Sequence, residues 1–342
     1  LATAASPAID PRHQPAAARR AQAVICFTVA LLKCVRKELG LEFIHNCISA
    51  AIQSLGLESN PHLLASQRGI ASVCSTACLL TTALDSPSIR LSGNLMVDCC
   101  KLCVAHFSVP AITNGISLSE QSRLSLQDIT SEMGPVCITL IEKIVQNYWD
   151  HFTQSITQGE TLKQFKNDEA FQIFSELMKT LFYYMQISVS SPDVVREGMK
   201  FLLNPANNHI RIILSSSSDI MEILIQVIIT NLMDQSSLVI LHEDMISILY
   251  QFLVQTNEGL TPKDTSQRAK ILLRLLNDVV LCRRKQVHQT NTTLQEMWDG
   301  MFGVGSATTT IVCSSSQDRV IDFQAFHGMF TEFICVAEQQ IV

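Results

Sequence analysis

Charge is scarce in this chain. Asp, Glu, Lys and Arg make up 16% of its 342 residues, against about a quarter in an ordinary soluble protein. The formal balance is −6, with no Lys/Arg-rich stripe, which argues against a direct nucleic-acid binder. Long apolar runs are missing as well. The most apolar stretch, Ala23 to Leu32, stops at Lys33, far short of the roughly 20 residues that cross a bilayer. Arg19-Arg20 ahead of it imitates a secretory signal, but no small-residue cleavage site precedes Lys33, Arg36 and Lys37. A phosphate-binding loop is also lacking. Gly300-Met-Phe-Gly303-Val-Gly305 leads into Ser306, carries no Lys-Ser/Thr and follows no strand, so it reads as a connector.

What the chain has is apolar helix. With 47% hydrophobic residues, much of its surface is buried against itself or against partners, and wholesale disorder is excluded. Asn60-Pro61, Ser86-Pro87, Ser191-Pro192 and Thr261-Pro262 each stand at the head of an apolar segment. The first residue of each pair caps the free N–H groups of a first turn, and Pro gives up only a donor that had no partner. Asp193 and Asp264 add the negative charge that a helix start favours.

Apolar spacing predicts helices over 21–39, 42–55, 62–83, 87–106, 124–156 and 162–187. It predicts four more over 219–233, 238–255, 264–284 and 318–338. In the first, Val24, Phe27, Leu31 and Val35 line one face, and Gly40 and Gly56 close the first pair. Residues 107–119, with Pro110, Asn114 and Gly115, read as a loop, with Ser117 and Glu120 at capping-box spacing. Gly134-Pro135 should kink or split the helix over 124–156. The helix over 219–233 is apolar nearly all round, with one polar stripe at Glu222, Gln226 and Thr230, and must be covered on several sides.

The expected organisation follows. Residues 1–20 carry no helical periodicity and read as disordered or artefactual; 21–284 form helical repeats; 285–317 are a polar loop; 318–342 form a terminal aromatic helix with Phe323, Phe326, Phe330 and Phe333 on one face. The hairpins recur at about 40–50 residues, the period of HEAT-type units. The expected fold is all-α, a HEAT-like α-solenoid: a right-handed superhelix of antiparallel helix hairpins. There is no residue-level repeat motif, and an irregular all-α domain stays open. A start at Leu1 and an end at Val342 without a polar tail read as a segment of a longer protein.

The sharpest chemical constellation is Cys74, Cys78, Cys99, Cys100, Cys103 and His106. Cys100 and Cys103 have C-x₂-C spacing, so a zinc site can be drawn. Structural zinc staples short loops, however, and these residues fall on two long helices. The same periodicity puts Cys99, Cys103 and His106 on one core-facing stripe, and that is the reading adopted. Of the twelve cysteines, Cys26, Cys34, Cys47, Cys137, Cys282 and Cys335 sit in apolar helical stretches where free thiols act as small hydrophobes. A disulfide framework does not suit so long a chain. Ser215–Ser218 and Ser314–Ser316 read as solvated loops, Arg283-Arg284-Lys285 as a helix end, and Asn291-Thr-Thr as an unused glycosylation spacing. No catalytic, cofactor-binding or metal residue is assigned, and an enzyme is not expected.

Two segments carry a resemblance. Val320-Ile-Asp-Phe323-Gln-Ala-Phe326-His-Gly-Met-Phe330-Thr-Glu-Phe333 and the hairpin from Tyr183 to Asn204 are similar, in aromatic pattern and helix rhythm, to closing helices of exportin-type members of the importin-β superfamily. The likeness covers the last half of the chain. It implies a karyopherin, a superhelix of HEAT repeats in cytoplasm and nucleus that carries protein cargo past nucleoporins. Such receptors are loaded or unloaded by the GTP form of the small GTPase Ran, held in amino-terminal repeats this sequence would not include. The rivals are a HEAT scaffold in trafficking or complex assembly, and an all-α enzyme with a Cys/Zn centre.

Overall fold

The computed structural model describes residues 14–35, 38–85, 93–118, 125–157, 169–207, 218–233, 239–253 and 323–339, together with 210 and 214. Among the described residues every regular element is helical and no strand occurs. The fold is all-α. The chain divides into two compact units, Leu1–Leu177 and Met178–Val342.

The first unit holds α1 (Gln14–Val35), α2 (Leu41–Leu55), the single turn α3 (Pro61–Leu64), α4 (Gln67–Leu84), α5 (Gly93–Phe107), α6 (Val109–Leu118) and α7 (Leu126–Thr157). The helix α8 (Glu169–Tyr184) begins in this unit and ends in the next. Helix α4 is its centre, packed by α1, α2 and α7, while α5 lies against α2 and α7. The short helices α3 and α6 pack on each other. Ile70, Val73, Ala77, Leu80 and Ala83 of α4 are buried along nearly its whole length, as a helix covered on several sides requires.

Several expectations needed correction. Helix α1 begins at Gln14, inside the stretch 1–20 read as aperiodic. Its inward residue is Leu32, fully buried, whereas Val24 and Phe27 are exposed, so the face assigned from spacing is the outer one. The helix expected over 62–83 is two, because Ser66 breaks in with an extended backbone and caps α4 by accepting from the Gly69 N–H at 3.1 Å. Residues 109–118, expected as loop, are helix α6, and Ser117 lies within it rather than capping one. Pro110 stands second in that helix, where its missing N–H costs nothing. The capping box is at Ser125 and Asp128: the Ser125 hydroxyl accepts from the Asp128 N–H at 3.1 Å, and the Asp128 carboxylate accepts from the Ser125 N–H at 3.1 Å. Helix α7 runs unsplit through Pro135. Burial of Met133, Cys137, Leu140, Ile141 and Ile144 along it outweighs the one lost hydrogen bond.

The end of α4 has no basic residue of its own. Helix α7 supplies the partners instead: the Asn147 amide donates to the Leu84 carbonyl, and Lys143 pairs with Asp85. Of the expected Asx/Ser/Thr-Pro starts, Asn60 accepts from the His62 N–H at 3.1 Å, while Ser191 flanks Pro192 without a side-chain bond. Ser86-Pro87 and Thr261-Pro262 lie outside the described residues.

The second unit continues with α9 (Pro192–Leu203), a 3₁₀ turn (Pro205–Asn207), α10 (Ser218–Leu232), α11 (Val239–Leu253) and α12 (Phe323–Gln339). Helix α11 packs on α9, α10 and α12. The expected all-round burial of α10 holds: Ile220, Met221, Leu224, Ile225, Val227, Ile228, Ile229 and Leu232 are buried, and Glu222, Gln226 and Thr230 form the less buried stripe. Asn231 turns inward from α10. Its amide donates to the Met185 carbonyl at 2.6 Å and its oxygen accepts from the Ile187 N–H at 3.0 Å, holding the turn after α8. In α12, Phe326 and Phe330 are buried and stacked with centroids 5.5 Å apart. Tyr250 of α11 meets Phe326 at 5.4 Å. Phe326 and Phe330 of the expected stripe are therefore buried, with Phe326 against the preceding helix. The helix expected over 264–284 and the loop over 285–317 lie outside the described residues.

Candidate functional site

The sequence singled out Cys74 and Cys78 on α4 and Cys99, Cys100, Cys103 and His106 on α5. Helical spacing and the contact of both helices with α7 bring part of this group together. Cys103 shares a side-chain hydrogen bond with Cys137 of α7, a partner the sequence placed in the core but not beside this group. Cys99, Cys100, Cys103 and Cys137 are buried, Cys74 is half-buried and Cys78 is exposed, so the group is mostly buried, as a core-facing set should be. The Cys74 thiol points to the Glu132 carbonyl at 3.9 Å, and the Cys100 thiol to the Met96 sulfur at 3.6 Å. His106 is buried, with Nε2 3.1 Å from the Gly56 carbonyl oxygen. Cys74, Cys100 and His106 thus turn to three different partners. Among the described residues no three His, Cys, Asp or Glu side chains are placed to hold a metal ion.

The electrostatics suit packing rather than catalysis. Burial pushes the Cys74 thiol up to about 12, with the Glu132 carboxylate adding to the shift. Burial also takes the Cys99 thiol to about 12, and it raises Cys100 and Cys137 well above the ordinary thiol value. A reactive cysteine needs the opposite, a thiolate stabilised by a cation or a helix start. Burial likewise lowers the pKa of His106, and the Gly56 carbonyl opposes this only in part.

Beside this core runs an open groove of about 450 Å³ between α5 and α8. Its floor is Leu57, Cys100, Val104 and Ile173, and its rim carries Lys101, Glu169 and Glu176. Lys101 and Glu169 face each other at 3.7 Å across it, both well exposed. No local pattern in the chain signals this groove, because it depends on which helices become neighbours. Gly300–Gly305, Ser306, Arg283–Lys285, Asn291, Ser314–Ser316 and Cys282 lie outside the described residues, as do Ser215–Ser217.

No family model, no curated protein and no solved structure matches this chain. Among the described residues no helix is long and apolar enough to cross a membrane.

Proposed function

We propose that the chain is a HEAT-like helical-repeat segment that binds protein partners non-covalently, and that its parent protein is a nuclear transport receptor. The observation that carries the repeat reading is the packing order of the first unit. Helices α1, α4 and α7 pack in succession, α2 packs on α5, and α4 and α5 each reach α7. Two layers filled alternately along the chain are what stacked hairpins produce, with α3 and α6 as extra turns between them. Stacked hairpins expose long helical surfaces and little enclosed space, which suits wrapping a partner rather than housing a reaction. Unreactive buried thiols agree with that reading.

The transport reading adds the resemblance of Tyr183–Asn204 and Val320–Phe333 to exportin-type receptors, with protein cargo, Ran and nucleoporins as partners. The test is affinity capture with the full-length protein, with and without Ran held in its GTP form. Cargo whose binding rises or falls with Ran-GTP supports the transport receptor. A partner set indifferent to Ran, at unchanged fold, points to a scaffold in trafficking or assembly.

A further inference from the structure

Helix α1 carries two apolar stripes. One contains Leu32, fully buried, on a helix that packs on α4. The other runs through Val24, Phe27, Leu31 and Cys34, and it faces away: Val24 is 62% exposed, Phe27 67%, and Cys34 is exposed. Val24 and Phe27 are the two most exposed large apolar side chains among the described residues. Steps of three, four and three residues are the alternation of a helix-on-helix seam. Arg20 and Glu38, both exposed, prolong the same spacing at the two ends. Glu38 sits where the helix closes, its N–H on the Val35 carbonyl at 3.1 Å.

We propose that this stripe is a dimerisation seam, on which α1 of a second copy of the chain docks antiparallel about a two-fold axis level with Val29. The spacing is the same read from either end, so a two-fold axis makes it self-complementary. Phe27 then meets Leu31 of the second copy, and Val24 meets Cys34. At each end Arg20 meets Glu38. A parallel pair in register would instead set Arg20 against Arg20 and Glu38 against Glu38, and like charges facing each other are unfavourable. Opposite charges at the two ends of one stripe therefore fit a second copy of the chain and set the antiparallel direction.

Light scattering on the eluting 342-residue chain at micromolar concentration should give twice the monomer mass. Phe27→Glu should weaken the dimer by about a hundredfold, because it buries an unpaired carboxylate at the seam centre. Its circular dichroism should not change, since Phe27 is exposed in the single chain. Arg20→Glu should weaken association and Arg20→Glu with Glu38→Arg should restore it. Under mild oxidation Val24→Cys should give a covalent dimer through Cys34 of the second copy, lost when Cys34→Ser is added. A chain that stays monomeric, or a dimer indifferent to Phe27→Glu, overturns the proposal. So does cross-linking of Val24→Cys to itself, which would mean a parallel pair.

Discussion

The Nε2 atom of His106, near the end of α5, lies 3.1 Å from the carbonyl oxygen of Gly56, the residue that closes α2. The other ring nitrogen is buried with no hydrogen-bond partner among the described residues. The neutral ring fits, with its one proton on Nε2. A second proton would place a buried N–H on Nδ1 with nothing to accept it. Burial accordingly lowers the His106 pKa below the usual 6.5. The unfolded chain therefore binds a proton below that pH that the folded unit refuses. This contribution favours folding fully above about pH 6.5 and is lost as pH falls below it. Urea melts at about pH 7.5 and about pH 5.5 should show a smaller acid loss for His106→Gln than for the wild type. Equal losses would remove His106 from the account.

Two glycines should respond to the same substitution with opposite signs. A Cβ on Gly69 would run into the backbone carbonyl of Leu63, where α3 crosses the start of α4. A clash with backbone cannot be relieved by a rotamer change, so Gly69→Ala should cost about 2–3 kcal/mol. A Cβ on Gly328 of α12 meets nothing within 4 Å. There the better helix propensity of Ala should add about 1 kcal/mol. Denaturation midpoints of the two variants test both signs together.

Asn231 serves two backbone groups of one turn, the Met185 carbonyl and the Ile187 N–H. Asn231→Leu keeps the volume and strands both, for a loss of about 3 kcal/mol. Asn231→Asp keeps the acceptor for Ile187 but places a carboxylate against the Met185 carbonyl. It should be at least as damaging at neutral pH and less so in acid, where it is protonated. Chemical denaturation across that pH range reads the difference.

Thiol reactivity should divide by burial. Cys78 and Cys335 are exposed, while Cys99, Cys100, Cys103 and Cys137 are buried, three of these four thiols raised by burial. Mass spectrometry after brief maleimide labelling of the native protein should find the first two modified and the buried four untouched until denaturant is added. Early labelling of Cys103 or Cys137 would show that the α5–α7 contact opens readily.

Phe330 is fully buried and stacks on Phe326. Phe330→Ala should cost about 3–5 kcal/mol, the usual loss for deleting a buried Phe. A loss under about 1 kcal/mol with a partner's binding abolished would make the stripe a docking surface instead.

Sequence reasoning succeeded where one helix face or one stop residue dominates. Helices α2 and α10 fall within a residue of their expected bounds because apolar spacing is clean and Gly56, at φ +81°, can end α2 where other residues would strain. It failed where local signals were ambiguous. Ser66 hides a helix break inside an apolar run, and Pro110, Asn114 and Gly115 made α6 look like a loop. Helix α1 misled for a different reason: two apolar stripes leave spacing alone unable to say which faces the core. The pairing of Cys103 with Cys137 and the α5–α8 groove are tertiary, and no spacing within one helix encodes them.

The clamp on α4 has a consequence for how this protein is made. Asn147 and the Leu84 carbonyl it binds are 63 residues apart in the chain. The last turn of α4 therefore stays uncapped on the ribosome until most of α7 has emerged. At about 5–20 residues per second, synthesis imposes a wait of several seconds. During that interval the apolar faces of α4 and α5 lack their α7 cover, and a chaperone has its best opportunity to bind.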